Sequence, residues 1–450
     1  MAEQTPVALV LVGGANHRFA PLEHKSFVRF QGMTLLERQL RALQAAGVRE
    51  AVIIGNPANR DLAAQVAAQV PELRTALVEQ TVPRGMGDAL LCAGPALIAL
   101  DGRSLYIVQP TDIVAPDLHR RVLSAWAEGE QAGLLVGYRT ERYFPGGYLR
   151  VRDSMVQGIV EKPGPGHEPS NLVTIVAHLH RDGARLLRLI AEEYGRDVAR
   201  DDHYERAVDR LLQEGGYRAF EYDGPWVPIK YPWHVLDAME YFLGQVTEQR
   251  IAPDAQISPR AEVTGNVVIE EGVRIFSGAH VVGPAYLGRG AVVGDGALVR
   301  GAMIGAGTVV GFRTEVARSY VGDRVNFHIN YVGDSVIADA VNLGAGTITA
   351  NWRFDERPVR SLVAGELLDT GRGKFGTIIG REARTGINVS LLPGVKIGAR
   401  SWIGPGAIVE RDVEPDRLVR PRQPLETLPH PLWSRQPAAD APRSGRDGDQ

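Results

Sequence analysis

Two short stretches carry residue types suited to chemistry. Gly13-Gly14-Ala15-Asn16-His17-Arg18 follows an apolar run and leads through Pro21-Leu22 to Lys25. A glycine turn at the end of a strand lets backbone amides approach a phosphate, and Arg18 and Lys25 add the positive charge that a triphosphate or pyrophosphate needs. The same residues also read as a tight turn with two solvated cations. The second stretch holds His328, in Asn326-Phe-His-Ile-Asn-Tyr-Val-Gly-Asp334, followed by Asn342-Leu-Gly-Ala-Gly346 and by Asn351. A neutral imidazole near pH 7 suits a general base; a lone histidine in such a setting is also commonly structural.

The elements that must position these residues fall into two parts with different periods. Up to about residue 247, short β-branched runs (Val7–Val12, Ala51–Ile54, Leu105–Val108, Ala132–Val136) alternate with amphipathic stretches. Leu35, Leu36, Leu40, Leu43 and Ala46 form a helical stripe that Gly47 closes. This order predicts a Rossmann-like α/β domain, a mostly parallel sheet covered by helices, with ligands at the carboxyl ends of its strands. From residue 251 the period becomes six: Ile251, Ile257, Val263, Ile269, Ile275, Val281, Leu287, Val293 and Val299, with Ala or Val two residues before each from Ala255 onward. The pattern returns at Ile337 and Leu343, and again at Leu391, Ile397, Ile403 and Val409. Six residues turn an α-helix through ~600°, so no helix holds this register. It predicts hexapeptide repeats, each a short strand and a turn, three to a triangular coil: a left-handed parallel β-helix over 251–427. The tight turns account for 51 glycines in 450 residues. A charged insertion at about 352–376 breaks the period, and 428–450 reads as a disordered tail.

The first part resembles the sugar-1-phosphate nucleotidylyltransferase family. Its opening G-x-G-T-R-M/F-x-P-L loop and following lysine are met by Gly14, Arg18, Phe19, Pro21, Leu22 and Lys25, with Asn16 and His17 as departures. Gln80 with Gly85-Met86-Gly87-Asp88-Ala89 is similar to the base-reading glutamine and turn. Asp112 matches the magnesium aspartate, with Thr111 in place of the usual glycine. Gly146-Gly147, Glu161-Lys162-Pro163 and Asn171 resemble the sugar-binding pieces. The resemblance implies attack of a sugar 1-phosphate on the α-phosphorus of an NTP, UTP or dTTP, aided by Mg2+. One segment departs. Trp226-Val-Pro-Ile-Lys-Tyr-Pro-Trp-His is similar to a W-x-D-I-G-Y-P-W-D stretch, but Pro228 stands where the second metal ligand belongs and Lys230 replaces a glycine.

The second part resembles the acetyltransferase half of bifunctional GlmU-type enzymes, through His328, Tyr331, Gly333, Asp334 and Val341 through Asn351. Asp369-Thr-Gly-Arg-Gly-Lys374 and Thr385-Gly-Ile-Asn-Val-Ser390, which contains Gly386, resemble the archaeal subtype. This implies N-acetylation of an amino-sugar 1-phosphate, glucosamine 1-phosphate first, by acetyl-CoA, with His328 as base and amides of Gly344-Ala345-Gly346 on the oxyanion. Tyr331, Asn342 and Asn351 would orient the sugar, and Arg300 would bind phosphate. Ala317 stands where the subtype has a lysine. An acetyl-CoA site between neighbouring solenoids implies a homotrimer. An alternative keeps the solenoid as acetyltransferase or trimeric scaffold and makes the first domain a regulatory module that binds a nucleotide sugar.

Composition sets the outer bounds. Lys plus Arg is 50 and Asp plus Glu is 53, a net charge of -3, so no electrostatic case exists for nucleic acid or a membrane surface. The single cysteine, Cys92, excludes a disulfide framework and a cysteine-ligated zinc site. No apolar stretch is long enough to span a bilayer, and the amino-terminal run lacks a basic flank, so the cytoplasm is the expected compartment.

Overall fold

In a computed structural model of the chain, residues 5–14, 17–97, 103–197 and 202–428 are described. Residues 15 and 16 of the glycine loop and the segment 429–450 lie outside them. The amino-terminal part is an α/β domain around one nine-stranded sheet. Its strand order is Arg74–Glu79, Glu50–Gly55, Val7–Leu11, Leu105–Val108, Leu172–His180, Gly133–Arg139, Tyr217–Tyr222, Met155–Glu161, Gly147–Arg152. The first four run parallel, and Leu172–His180 runs against both of its neighbours. Helices cover both faces, and each face has its own apolar core. Local sequence and tertiary burial agree here. Thr34 caps the helix Leu35–Ala45 by accepting from Glu37 N at 3.1 Å. The helix then buries Leu36, Leu40 and Leu43, and Gly47 leaves it at φ +96°.

From Arg250 the chain winds into a parallel β-helix of three sheets with eight, nine and eight strands. Each turn of the coil stacks like on like, as in Ile257 beside Ile275 beside Val293 and Val263 beside Val281 beside Val299. The interior is a single aliphatic column. It does not lapse between 299 and 337, where the six-residue period is lost in the sequence. Val299, Ile304, Val310, Val316, Val321, Phe327, Val332, Ile337 and Leu343 all remain buried in it. Some steps there are five residues, because one turn residue is dropped while the strand keeps its inward phase. Arg318 and Asp334 sit at these shortened turns with φ of 48° and 49°, a conformation that side-chain-bearing residues rarely adopt.

A further core joins the two parts. Phe19, Phe30, Trp233 and Phe242 of the α/β domain pack with Tyr286, Met303, Tyr320 and Val336 from one face of the β-helix. The insertion belongs to the same core. It forms a hairpin, Arg360–Val363 with Glu366–Asp369, and buries Val359, Val363 and Phe375. Arg372 bridges from it to Asp237 and Glu240 on the helix His234–Gly244. One face of the prism is therefore covered from within the chain, and the other two are left outward.

Candidate functional sites

The first site lies at the carboxyl end of strand Val7–Leu11. Asn59, fully buried, donates to the Val12 carbonyl at 2.8 Å, and Asn56 donates to the Gly13 carbonyl at 3.0 Å. A Cβ on Gly13 would lie 2.9 Å from the Gly55 carbonyl oxygen, so this close packing requires glycine. The two asparagines were not legible as site-builders, because their side-chain amides donate to the backbone of a loop distant in sequence. Gln80 is buried, with its amide nitrogen donating to the Gly85 carbonyl at 3.1 Å and to Asp88 at 2.8 Å. Asp88 also receives Arg84 at 2.6 Å. Asp88 thus anchors Gln80 and Arg84 with its carboxylate. On the strands Gly147–Arg152 and Met155–Glu161, Gly147 pairs with Glu161, whose carboxylate holds Lys162 at 2.9 Å. Asn171 is exposed, and its side-chain oxygen accepts from Arg139 at 2.9 Å.

Asp112 is buried and accepts three hydrogen bonds: from Gln109 at 2.8 Å, from Val176 N at 3.2 Å and from Trp226 Nε1 at 3.0 Å. Across a two-stranded antiparallel ladder its register partner is Pro228. A proline side chain offers no ligand atom, and Lys230 follows two residues later with its charge acting on Asp112. Among the described residues no group of three or more His, Cys, Asp or Glu side chains could hold a metal ion. With Pro228 across the ladder, Asp112 has no carboxylate opposite it to complete a magnesium site of two protein carboxylates. Burial, with Arg18 adding to it, lowers the Lys25 ammonium below its usual range, while Asp112 opposes the shift.

The second site occupies the β-helix. The turns that carry His328, Ala345 and Gly386 stack on one corner: Gly346 N donates to the Ile329 carbonyl at 2.8 Å, and Asn388 N to the Ala345 carbonyl at 2.8 Å. Asn330, buried beside His328, ties the coils by donating to the carbonyls of Gly344 and Thr347. His328 takes a place on this column that glycine holds in other coils. Gly311 packs directly on His328, and a Cβ on Gly344 would meet the Gly386 carbonyl oxygen at 2.4 Å. The imidazole stands exposed on a rung flanked by residues without side chains. Of the three amides expected on an oxyanion, two are consumed between coils. Gly344 N donates to the Thr385 carbonyl, and Gly346 N to Ile329. Ala345 N is left as the available donor.

The adjoining outward face leads from this corner to the next. Tyr331 begins its strand, and its hydroxyl accepts from Asn351 Nδ2 at 3.2 Å. Asn351 also donates to Asp334, on which Arg318 forks with two bonds of 2.7 Å. Arg318 is a member of this network that sequence reasoning missed; its left-handed turn has no local signature. Arg300, two coils away and in line with Ala317 and Gly333, is held by Glu315 at 2.6 Å. Its guanidinium reaches the site already paired. Asn342 lies on the other outward sheet, between Asn326 and Arg384. Lys374 is exposed in the insertion, 5.6 Å from the Trp352 ring.

An α/β domain with a glycine turn at the end of its first strand, joined to a β-helix with a histidine on its corner, has the layout of a transferase with two candidate sites. Residues 8–256 match the MobA-like NTP transferase domain. The chain is 31% identical over 414 residues to the bifunctional sugar-1-phosphate nucleotidylyltransferase/acetyltransferase of Sulfurisphaera tokodaii, spanning 90% of this chain and 98% of that protein. It is 28% identical over 430 residues to the bifunctional protein GlmU of Methanococcus maripaludis, spanning 93% of this chain and 98% of that one. A solved UDP-glucose pyrophosphorylase with UDP-glucose bound is similar over 54% of this chain and 100% of its own, at 17% identity and a TM-score of 0.47. The chain belongs to the family of bifunctional sugar-1-phosphate nucleotidylyltransferase/acetyltransferases.

Proposed function

We propose that the chain serves amino-sugar nucleotide synthesis. The β-helix transfers an acetyl group from acetyl-CoA to the amine of glucosamine 1-phosphate or a related amino-sugar phosphate. The α/β domain joins a sugar 1-phosphate to UTP or dTTP with release of pyrophosphate. The observation that carries this reading is the corner where His328, the Ala345 amide and Gly386 stack beside the Tyr331–Asn351–Asp334 face.

In that reading the amine nitrogen attacks the thioester carbonyl carbon while His328 takes its proton. The Ala345 amide stabilises the oxyanion, the carbon–sulfur bond breaks, and His328 returns its proton to the sulfur so that CoA leaves as the thiol. Tyr331 and Asn351 hold the sugar, with Asp334 and Arg318 fixing Asn351. In the first domain, catalysis rests on positioning and charge neutralisation: Gly13 and Gly14 bring backbone to the phosphates, and Arg18 and Lys25 add charge. Magnesium, which the family implies, would find one matched carboxylate, Asp112, with Pro228 opposite it. The chain works in the cytoplasm as a homotrimer built on the two outward faces of the β-helix. Among the described residues no helix is long and apolar enough to cross a membrane.

Pro228 opposite Asp112 favours a second reading, in which the first domain binds a nucleotide sugar without turnover and regulates the acetyltransferase. One assay separates the two. With glucosamine 1-phosphate, acetyl-CoA and each NTP supplied, CoA and pyrophosphate are measured independently. Release of both supports the bifunctional reading. CoA release alone hands the first domain to regulation, and release of neither defeats the proposal.

A further inference from the structure

Lys230 is a largely buried ammonium without a carboxylate. Its Nζ stands 3.7 Å from the Phe144 ring centroid and donates to the Pro145 carbonyl. Among the described residues no Asp or Glu oxygen reaches it at ion-pair distance. The turn that carries it is fastened from behind: His234 Nδ1 lies 3.2 Å from Lys230 N and 3.0 Å from the Pro228 carbonyl. Burial pushes the ammonium down to about 8, and Asp112 and Glu161 oppose that shift. Arg18 and Lys162 also act on it.

Its surroundings define what is missing. Asp112 and Arg18 both act on Lys25 and on Lys230, and none of the three cations makes an ion pair among the described residues. Asp112 cannot neutralise all three, because it carries one charge and its oxygens already accept three N–H donors. A partly buried ammonium is costly unless it is paired; Lys25 and Lys230 are partly buried, with the exposed Arg18 acting on both, an arrangement open to an anion of more than one charge. A divalent cation, in contrast, would meet Lys230 as a like charge.

We propose that Lys230 is a phosphate-binding residue of the α/β domain, supplying the positive charge that a metal held on a second carboxylate would otherwise bring. The Phe144 ring face carries its ammonium, and the spare N–H donors face the phosphate groups of a nucleoside triphosphate or nucleotide sugar. The inference rests on reading this domain as a nucleotide site, and it stands whether or not the bound nucleotide turns over.

The test is calorimetric titration of the full chain with UTP and with UDP-N-acetylglucosamine, in EDTA and in magnesium. Wild type, Lys230→Met and Lys230→Arg are compared. Wild type should bind both ligands in EDTA nearly as well as in magnesium. Lys230→Met should weaken binding in EDTA by roughly tenfold or more, the scale of a charge-assisted hydrogen bond, and Lys230→Arg should retain most of it. CoA release by the same preparations reports folding. If the methionine variant has lost that release, the wild-type comparison of EDTA with magnesium decides alone. Binding by wild type that is absent in EDTA and restored by magnesium, or a folded methionine variant that binds as wild type does, overturns the proposal. Absence of pyrophosphate release with every NTP would refute nucleotidyl transfer and leave this result standing.

Discussion

Arg318 closes a two-pronged ion pair on Asp334, both bonds at 2.7 Å, across adjacent coils of the β-helix. Both residues hold left-handed backbone at turns shortened by one residue. The Asp334 carboxylate also receives Asn351, so the pair sets the angle of the face on which the sugar is proposed to lie.

Arg318→Lys removes the fork and leaves Asp334 with one point charge as partner. The unmade hydrogen bond to a buried carboxylate should cost about 1–3 kcal/mol. Thermal unfolding should shift accordingly, and the KM for the amino sugar should rise more than kcat falls, because the loss is in positioning. An unchanged KM with a collapsed kcat would place Arg318 in the chemistry instead.

His328→Ala should reduce CoA release by about 10²–10⁴, the usual worth of a general base. Any pyrophosphate release should be unaffected, since the two sites lie on different domains. The exposed ring adds little to packing, so a stable, fully folded variant is expected. Acetyl transfer at the wild-type rate would reduce His328 to a turn residue.

Acid should unfold the α/β domain early. Burial pushes His119 and His178 down to about 4 and His180 to about 3. His178 and His180 are bonded to the Tyr204 hydroxyl at 2.6 and 3.0 Å. The unfolded chain takes up protons near pH 6.5 that the folded chain refuses. Stability is therefore complete above pH 6.5 and falls as the pH drops toward 4, by about 1.4 kcal/mol per pH unit for each group. Midpoints of thermal unfolding between pH 7 and 4.5 would show this, and His178→Asn should flatten the slope.

Light scattering should find three copies of the full chain. Ile348 and Ile408 on one outward face, and Trp402 and Leu418 on the other, are each at least 43% exposed, while the remaining face is covered by the α/β domain. An isolated β-helix would uncover Tyr286, Met303 and Tyr320 and is the wrong object to measure. Ile408→Arg should shift the population toward monomers and lower CoA release; a monodisperse wild-type monomer would refute the trimer.

The coil and the α/β sheet were legible because both are periodic. A strand that feeds a packed interior must repeat its inward residue, and repetition survives in one dimension. Where a turn lost a residue, between 299 and 337, the period vanished from the chain although the aliphatic column did not. Strand phase is a property of three dimensions, and a deletion confined to a turn does not disturb it. The proposed site residues divide in the same way. His328 could be noticed from its neighbours in the chain. That it stands on a column of glycines, with the Ala345 amide as the unspent donor of its turn, depended on which coil lies above which. Pro228 and Lys230 could be seen to depart from a pattern. That Pro228 faces Asp112, and that Lys230 is enclosed against Phe144 without a counter-charge, required two strands and a loop far apart in sequence to meet. Pairing, burial and the charge left unbalanced by them are sums over neighbours, and the chain order does not say who the neighbours are.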